Sequence, residues 1–148
     1  MTKTEDQVLV REIGKLAGFL GGFGTRIAAR RLPVEEAEDL LVVDAPLTSV
    51  SGNVLLILQS IGRMTDEFAS EKTTDTISAI VGSGHMNLNP TIVHVRFIES
   101  SDQSTTISLR ALAKEGLVKQ QSAKRATERI LALISTRYAE QALGADSI

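Results

Sequence analysis

Between Thr76 and Ala113 the chain alternates apolar and polar residues three times over, and few architectures accommodate that pattern. In Thr76 to Val81, Ile77, Ala79 and Val81 fall on one side and Thr76, Ser78 and Ile80 on the other. In Thr91 to Ile98, Val93, Val95 and Phe97 oppose Ile92, His94, Arg96 and Ile98. In Thr105 to Ala113, Ile107, Leu109, Ala111 and Ala113 oppose Thr106, Ser108, Arg110 and Leu112. A period of two sends successive side chains to opposite faces of a strand. Three such runs in succession predict an antiparallel meander with one face better buried than the other.

Two amphipathic helices bracket the meander. Leu47, Val50, Val54, Ile57, Leu58 and Ile61 form a continuous helical stripe, with Asp44 a candidate N-cap, Pro46 suited to the first turn and Gly62 a natural stop. Ala123, Ala126, Ile130, Leu133, Ile134 and Tyr138 form a second stripe that starts at Ser122, and the chain is expected to fray from Ala139. Ahead of the first helix, Leu40 to Val43 reads as a short buried strand ending at Asp44-Ala45-Pro46. Pro33 to Asp39 reads as one helical turn opened by proline, with Glu35, Glu36, Glu38 and Asp39 on its exposed side. Residues 1–32 have a helical rhythm, with Ile13, Leu16 and Leu20 on one side, broken by Gly18, Gly21, Gly22 and Gly24. Two short helices meeting at a glycine joint fit best. Gly14, Gly18 and Gly22 would offer a bare face for close packing or dimer contact, and a flexible arm is the alternative.

The expected fold class is therefore α+β: a curved antiparallel sheet of about four to five strands with two main helices on one face. Its order is (helical arm)-β-α-β-β-β-(β)-α, with residues 1–32 as the arm and 33–148 as a single domain. This order, over residues 39 to 138, together with the Asp44-Ala45-Pro46 turn from strand to helix, resembles the helix-grip and TBP-like α+β folds. The resemblance implies the architecture. It brings no functional motif, so no residue role follows from it.

Composition narrows the function classes. Of 148 residues 43% are hydrophobic but only 3% aromatic, which disfavours a base-stacking nucleic-acid binder. The net charge of −2 gives no global attraction for nucleic acid or an anionic membrane. There is no cysteine, hence no disulfide, thiol nucleophile or thiolate metal site. No run reaches the ~18 to 20 apolar residues of a spanning helix. Glu5 and Asp6 stand where a secretory leader would be basic, and a cytoplasmic protein is expected.

Candidate chemistry is sparse. Gly82 to Pro90 gathers Ser83, His85, Met86, Asn87 and Asn89 between two strands. Gly82, Gly84 and the asparagines suit left-handed backbone, so a structural connection is the first reading. A ligand rim is the sharper one, with His85, Met86, Asn87, His94 and Arg96 as its candidate residues. Two histidines without a third ligand at a defined spacing do not make a metal site, and no cofactor is implied. Gly82-Ser83-Gly84 is too short for a nucleophile elbow. Gly22-Phe23-Gly24 opens like a dinucleotide fingerprint but has Ile27 at the third glycine position and no strand before it.

If the last helix stands off the sheet, Ile77, Val81, Val93, Phe97, Leu109 and Ile130 line an apolar cavity. If it packs tightly they are core, as the small residues Ala79, Ala111 and Ala126 favour. The leading expectation is a non-enzymatic binding or interaction domain, self-associating through the arm or an exposed sheet face. The alternative is a helix-grip carrier or small enzyme for a hydrophobic or amphipathic molecule. A third is an anion-binding module using Lys119, Lys124, Arg125 and Arg129.

Overall fold

The computed structural model describes residues 1–18, 28–69, 75–116 and 118–145. The elements are α1 (Lys3–Gly18), β1 (Val34–Val43), α2 (Leu47–Ile61), β2 (Gly62–Met64), β3 (Thr76–Ser83), β4 (Asn89–Ser101), β5 (Ser104–Lys114) and α3 (Ser122–Ala145). A further helical turn covers residues 28–31. The strands form one antiparallel sheet in the order β1-β5-β4-β3-β2. It is curved and does not close. Among the described residues no helix is long and apolar enough to cross a membrane.

The three alternating runs are β3, β4 and β5. Their register sets Ile77 opposite Val95 and Val95 opposite Leu109, so residues of one parity converge on one face. That face carries both main helices. Val50, Val54 and Leu58 of α2, and Ala123, Ala126, Ile130 and Ile134 of α3, are buried in one cluster with Ala79, Val93, Leu109 and Ala111. Each fully buried Val, Leu or Ile contributes about 1.5–3 kcal/mol. The alanines at the contact let α3 lie close to the strands.

Three local expectations are corrected. Residues 34–39 are not a helical turn but the first part of β1, which pairs with β5 from Val34↔Lys114 to Val43↔Thr105. Pairing with β5 satisfies the inward backbone groups along the whole segment, and an acidic turn without an apolar stripe has nothing to set against that. At α2 the N-cap is Pro46, in extended conformation, and no side chain caps it, so Asp44 does not serve there. Gly62 does end α2, its N–H donating to the carbonyl of Leu58. Helix α3 runs on to Ala145, past the point where fraying was expected.

The second face of the sheet is half covered. Val8 and Leu9 of α1 are buried with Phe68, Ile80, Ile92 and Leu112 in a second, smaller core. The packed side of α1 is thus centred on Val8 and Leu9; Ile13 is half-buried and Leu16 exposed. Gly14 is buried, whereas Leu20, Gly21, Gly22 and Gly24 lie outside the described residues. Leu9→Ala should cost about 3 kcal/mol by loss of transfer energy and an unfilled cavity. Urea denaturation measures it, and an unchanged midpoint would contradict a docked α1.

Candidate functional site

Sheet register builds one dense polar group. Ser78 on β3, His94 on β4, Arg110 on β5 and Glu38 on β1 stand in one row across four strands, on the face that α1 covers. Glu5 descends onto this row from the first turn of α1 and is only 2% exposed. Its Oε1 lies 2.8 Å from His94 Nε2 and accepts a hydrogen bond from Arg110 Nη1 at 2.8 Å. Ser78 Oγ lies 3.0 Å from His94 Nδ1. The Phe68 ring meets the imidazole edge-on, with centroids 5.0 Å apart. On its outer side Arg110 Nε donates to Glu36 and lies 3.5 Å from Glu38. Burial works against the charge of Arg110, but the bonds to Glu36 and Glu5 more than offset it, and the guanidinium is held above its ordinary pKa.

A carboxylate on Nε2 requires a proton there, so in the neutral ring Nδ1 is free to accept the Ser78 hydroxyl. Ser, His and Glu in a hydrogen-bonded line is the chemistry of an activated nucleophile. Here all three side chains are enclosed by α1 and Phe68. The arrangement as folded holds α1 on the sheet and presents no face of Ser78 to a substrate.

A second feature lies at the other end of β3 and β4. Strand β2 pairs with Ala79 to Val81, and the Thr65 N–H continues that edge by donating to the carbonyl of Ser78. Between the start of β3 and the first turn of α2 lies a cleft of about 540 Å³, lined by Leu47, Ser51, Asp75, Ile77, Arg96, Phe97 and Ile98. Arg96 is exposed. The backbone N–H of Phe97 donates to the carbonyl of Asp75 and fixes this edge.

The third feature is the first turn of α3. Glu115 accepts the N–H groups of Gln120 at 2.5 Å and Ser122 at 2.9 Å, and Glu35 accepts that of Ala123 at 2.8 Å. Burial raises both carboxyls, but the backbone donors hold Glu115 below the ordinary carboxylate range. Glu35, desolvated and beside that charge, is held above it. The expectation that the carboxylates of residues 35–39 lie on an exposed side is thereby corrected for Glu35. The turn between β3 and β4 is clasped to this same place. Ser83 Oγ donates to the carbonyl of Ser122, Asn89 Nδ2 to Ser122 Oγ and the carbonyl of Lys114, and the His85 N–H to Gln120 Oε1. Gly82 is required, because a Cβ there would lie 1.9 Å from the Asn87 carbonyl oxygen.

The residues named from the sequence therefore fall in separate places. His85, Met86 and Asn87 are exposed at the turn, with Met86 75% exposed and at φ 55. His94 is buried under α1, away from His85. Arg96, Ile77 and Phe97 meet at the cleft, while Val81, Val93, Leu109 and Ile130 are packed in the main core. Lys119, Lys124, Arg125 and Arg129 are exposed around the start of α3. Among the described residues no cluster of three metal-ligating side chains occurs. Sequence reasoning missed Glu5, Ser78, Arg110 and Glu115. Ser78 and Arg110 share a strand face with His94 and were within reach of a register argument; Glu5, 89 residues from His94, was not.

No protein-family model matches the chain, and no curated protein sequence matches it. Among solved structures it is similar to the di-domain ARO/CYC StfQ from the steffimycin biosynthetic pathway, at 12% identity and a TM-score of 0.35. That likeness covers 80% of this chain and 57% of the other, so the chain spans little more than half of that protein's length. It is too loose a likeness to carry an activity, ligand or residue role across.

Two outcomes test the polar groups. Glu5→Ala leaves His94 and Arg110 facing an emptied site and should cost about 3–5 kcal/mol. Glu5→Gln, which keeps an acceptor, should cost clearly less; equal losses in urea titrations would mean that the carboxylate charge carries the whole contact and the retained acceptor nothing. Glu35 has a raised pKa in the folded state, so its contribution is complete below the ordinary carboxylate range and is lost as pH rises through the raised value. The wild-type urea midpoint should carry this decline in the window beginning about pH 4. Glu35→Gln, still an acceptor for Ala123, should lack it.

Proposed function

We propose that the protein is a binding domain without catalytic chemistry of its own, and that the cleft between α2 and the start of β3 takes a small amphipathic molecule with an anionic head. The apolar body lies against Ile77, Phe97, Ile98 and Leu47, and the head is met by Arg96. One observation carries this reading: an exposed guanidinium stands at the rim of a cleft whose wall is largely apolar. Among the described residues Arg96 is engaged in no ion pair or hydrogen bond, so its donors are available to a ligand. Ser51 on α2 adds a hydroxyl to the same rim. A pocket of mainly apolar lining with a few convergent polar groups is the ordinary form of a small-molecule site.

The non-catalytic part of the reading is supported by how the reactive-looking side chains are used. Ser78 and His94 are committed to the row that holds α1, and Glu115 is spent on the backbone of α3. The space beneath α3, where a helix-grip carrier would hold its ligand, is filled by Val93, Leu109, Ala111, Ala126 and Ile130. A ligand therefore has better access from the end of the sheet than from beneath the helix.

Titration with a fluorescent fatty-acid analogue tests this. Saturable one-to-one binding is expected, weaker by about ten- to a hundredfold in Arg96→Ala and for the methyl ester of the same probe. Binding that is unsaturable, or indifferent to both changes, would sink the reading.

A further inference from the structure

We propose that the outer edge of β1 is a docking strand for an extended segment of another protein, one that carries two basic and two apolar residues at alternate positions. Strand β1 is a sheet edge ten residues long, hydrogen-bonded to β5 alone. The Leu40 N–H points away from β5, since it donates to Asp39 Oδ1 at 2.8 Å. Antiparallel alternation gives the same outward direction to the N–H groups of Glu36, Glu38 and Val42. Such a row of main-chain groups that β5 does not use is a template for an added strand, with the Leu40 N–H exchanging its bond to Asp39 for one to the newcomer.

The side chains beside this row define what can be added. Glu36, Glu38, Leu40 and Val42 lie on the α1 side of the sheet, but α1 reaches only as far as the row of Glu38, Arg110, His94 and Ser78. Beyond that row no element among the described residues packs on the face. Leu40 is 64% exposed and Val42 62%, and Ile98, two strands away across Thr106, is 43% exposed. Three exposed aliphatic side chains on one flat half-face are an unusual expense in contact with water. Next to them the edge is acidic. Arg110, across from Glu38, is already shared among Glu5, Glu36 and Glu38, so negative charge remains. A strand laid along β1 thus meets two carboxylates and then two aliphatic side chains at every second position, and its own alternate residues must be basic and then apolar.

At the two registers that pair the whole of β1, charge also selects against a second copy of the chain. A two-fold axis through antiparallel β1 strands passes through one residue pair. Centred on Glu38 or on Asp39, it sets that carboxylate against its own copy. The same registers place Glu36 opposite Leu40 or Val42, so neither face matches. Like charges directly opposed on neighbouring strands are destabilising. A partner of opposite charge removes both conflicts.

The test uses a fluorescein-labelled peptide of sequence Val-Thr-Val-Thr-Lys-Thr-Lys-Thr, its reverse, and a scrambled peptide without the alternation, each titrated with full-length protein by fluorescence anisotropy. Saturable binding of one alternating order is expected, with the scrambled peptide at least tenfold weaker. Glu38→Lys should abolish it by charge. Val42→Pro should abolish it by removing an outward N–H that β5 does not use, so that the fold, followed by circular dichroism and thermal midpoint, is kept. Equal binding of the scrambled peptide, or undiminished binding by a folded Val42→Pro protein, would overturn the proposal. So would a dimer in sedimentation that Val42→Pro dissolves while no peptide binds, because the occupant would then be a second copy.

Discussion

The placement of Glu5 is the contact on which the second layer of this protein depends. A carboxylate at 2% exposure is stable only when the groups around it return the lost hydration. His94 and Arg110 do so, and they are positioned by strands that have nothing to do with α1. Once the helix is seated, Val8 and Leu9 close over Ile80, Ile92 and Leu112, and Phe68 seals the edge of the imidazole. Further ion pairs follow at the margins, Asp6 with Lys114 and Glu12 with Arg63. The half of the sheet that α1 reaches becomes core, and the half beyond it stays bare.

That division organises the surface. The cleft beside Arg96 and the edge of β1 both lie outside the covered half, at opposite sides of the sheet. The cleft opens at the margin of the main core, with which it shares Phe97, Ile77 and Leu47. Side chains that look reactive in isolation are used to fasten elements together. Ser78 and His94 belong to the α1 row, and Ser83, Ser122 and Asn89 belong to the clasp at the start of α3. The turn from Gly82 to Pro90 is a fastening of the same kind, and only its tip, at His85 to Leu88, faces water.

Periodicity in a single chain was enough for most of the architecture. Alternation in β3, β4 and β5 and the helical stripes of α2 and α3 each report one burial face. An antiparallel meander with helices on one side is the arrangement that satisfies them together. The acidic stretch at residues 34–39 failed because it carries no burial signal of its own. It is a strand only because β5 offers ten partners. Glu35 likewise gains its raised pKa from burial first and then from Glu115, 80 positions on in the chain, and nothing local foretells either.

What the amino-acid order determined by itself was the class of fold and the order of elements, since these rest on local periodicity. Tertiary structure decided everything that turns on which residues meet. It joined Glu5 to His94 and Arg110, brought Arg96 beside Ile77 and Phe97, and left Leu40 and Val42 without a cover. The physical reason is range. A hydrophobic period is written within a few residues, whereas a polar contact or an uncovered face depends on where a distant element comes to rest.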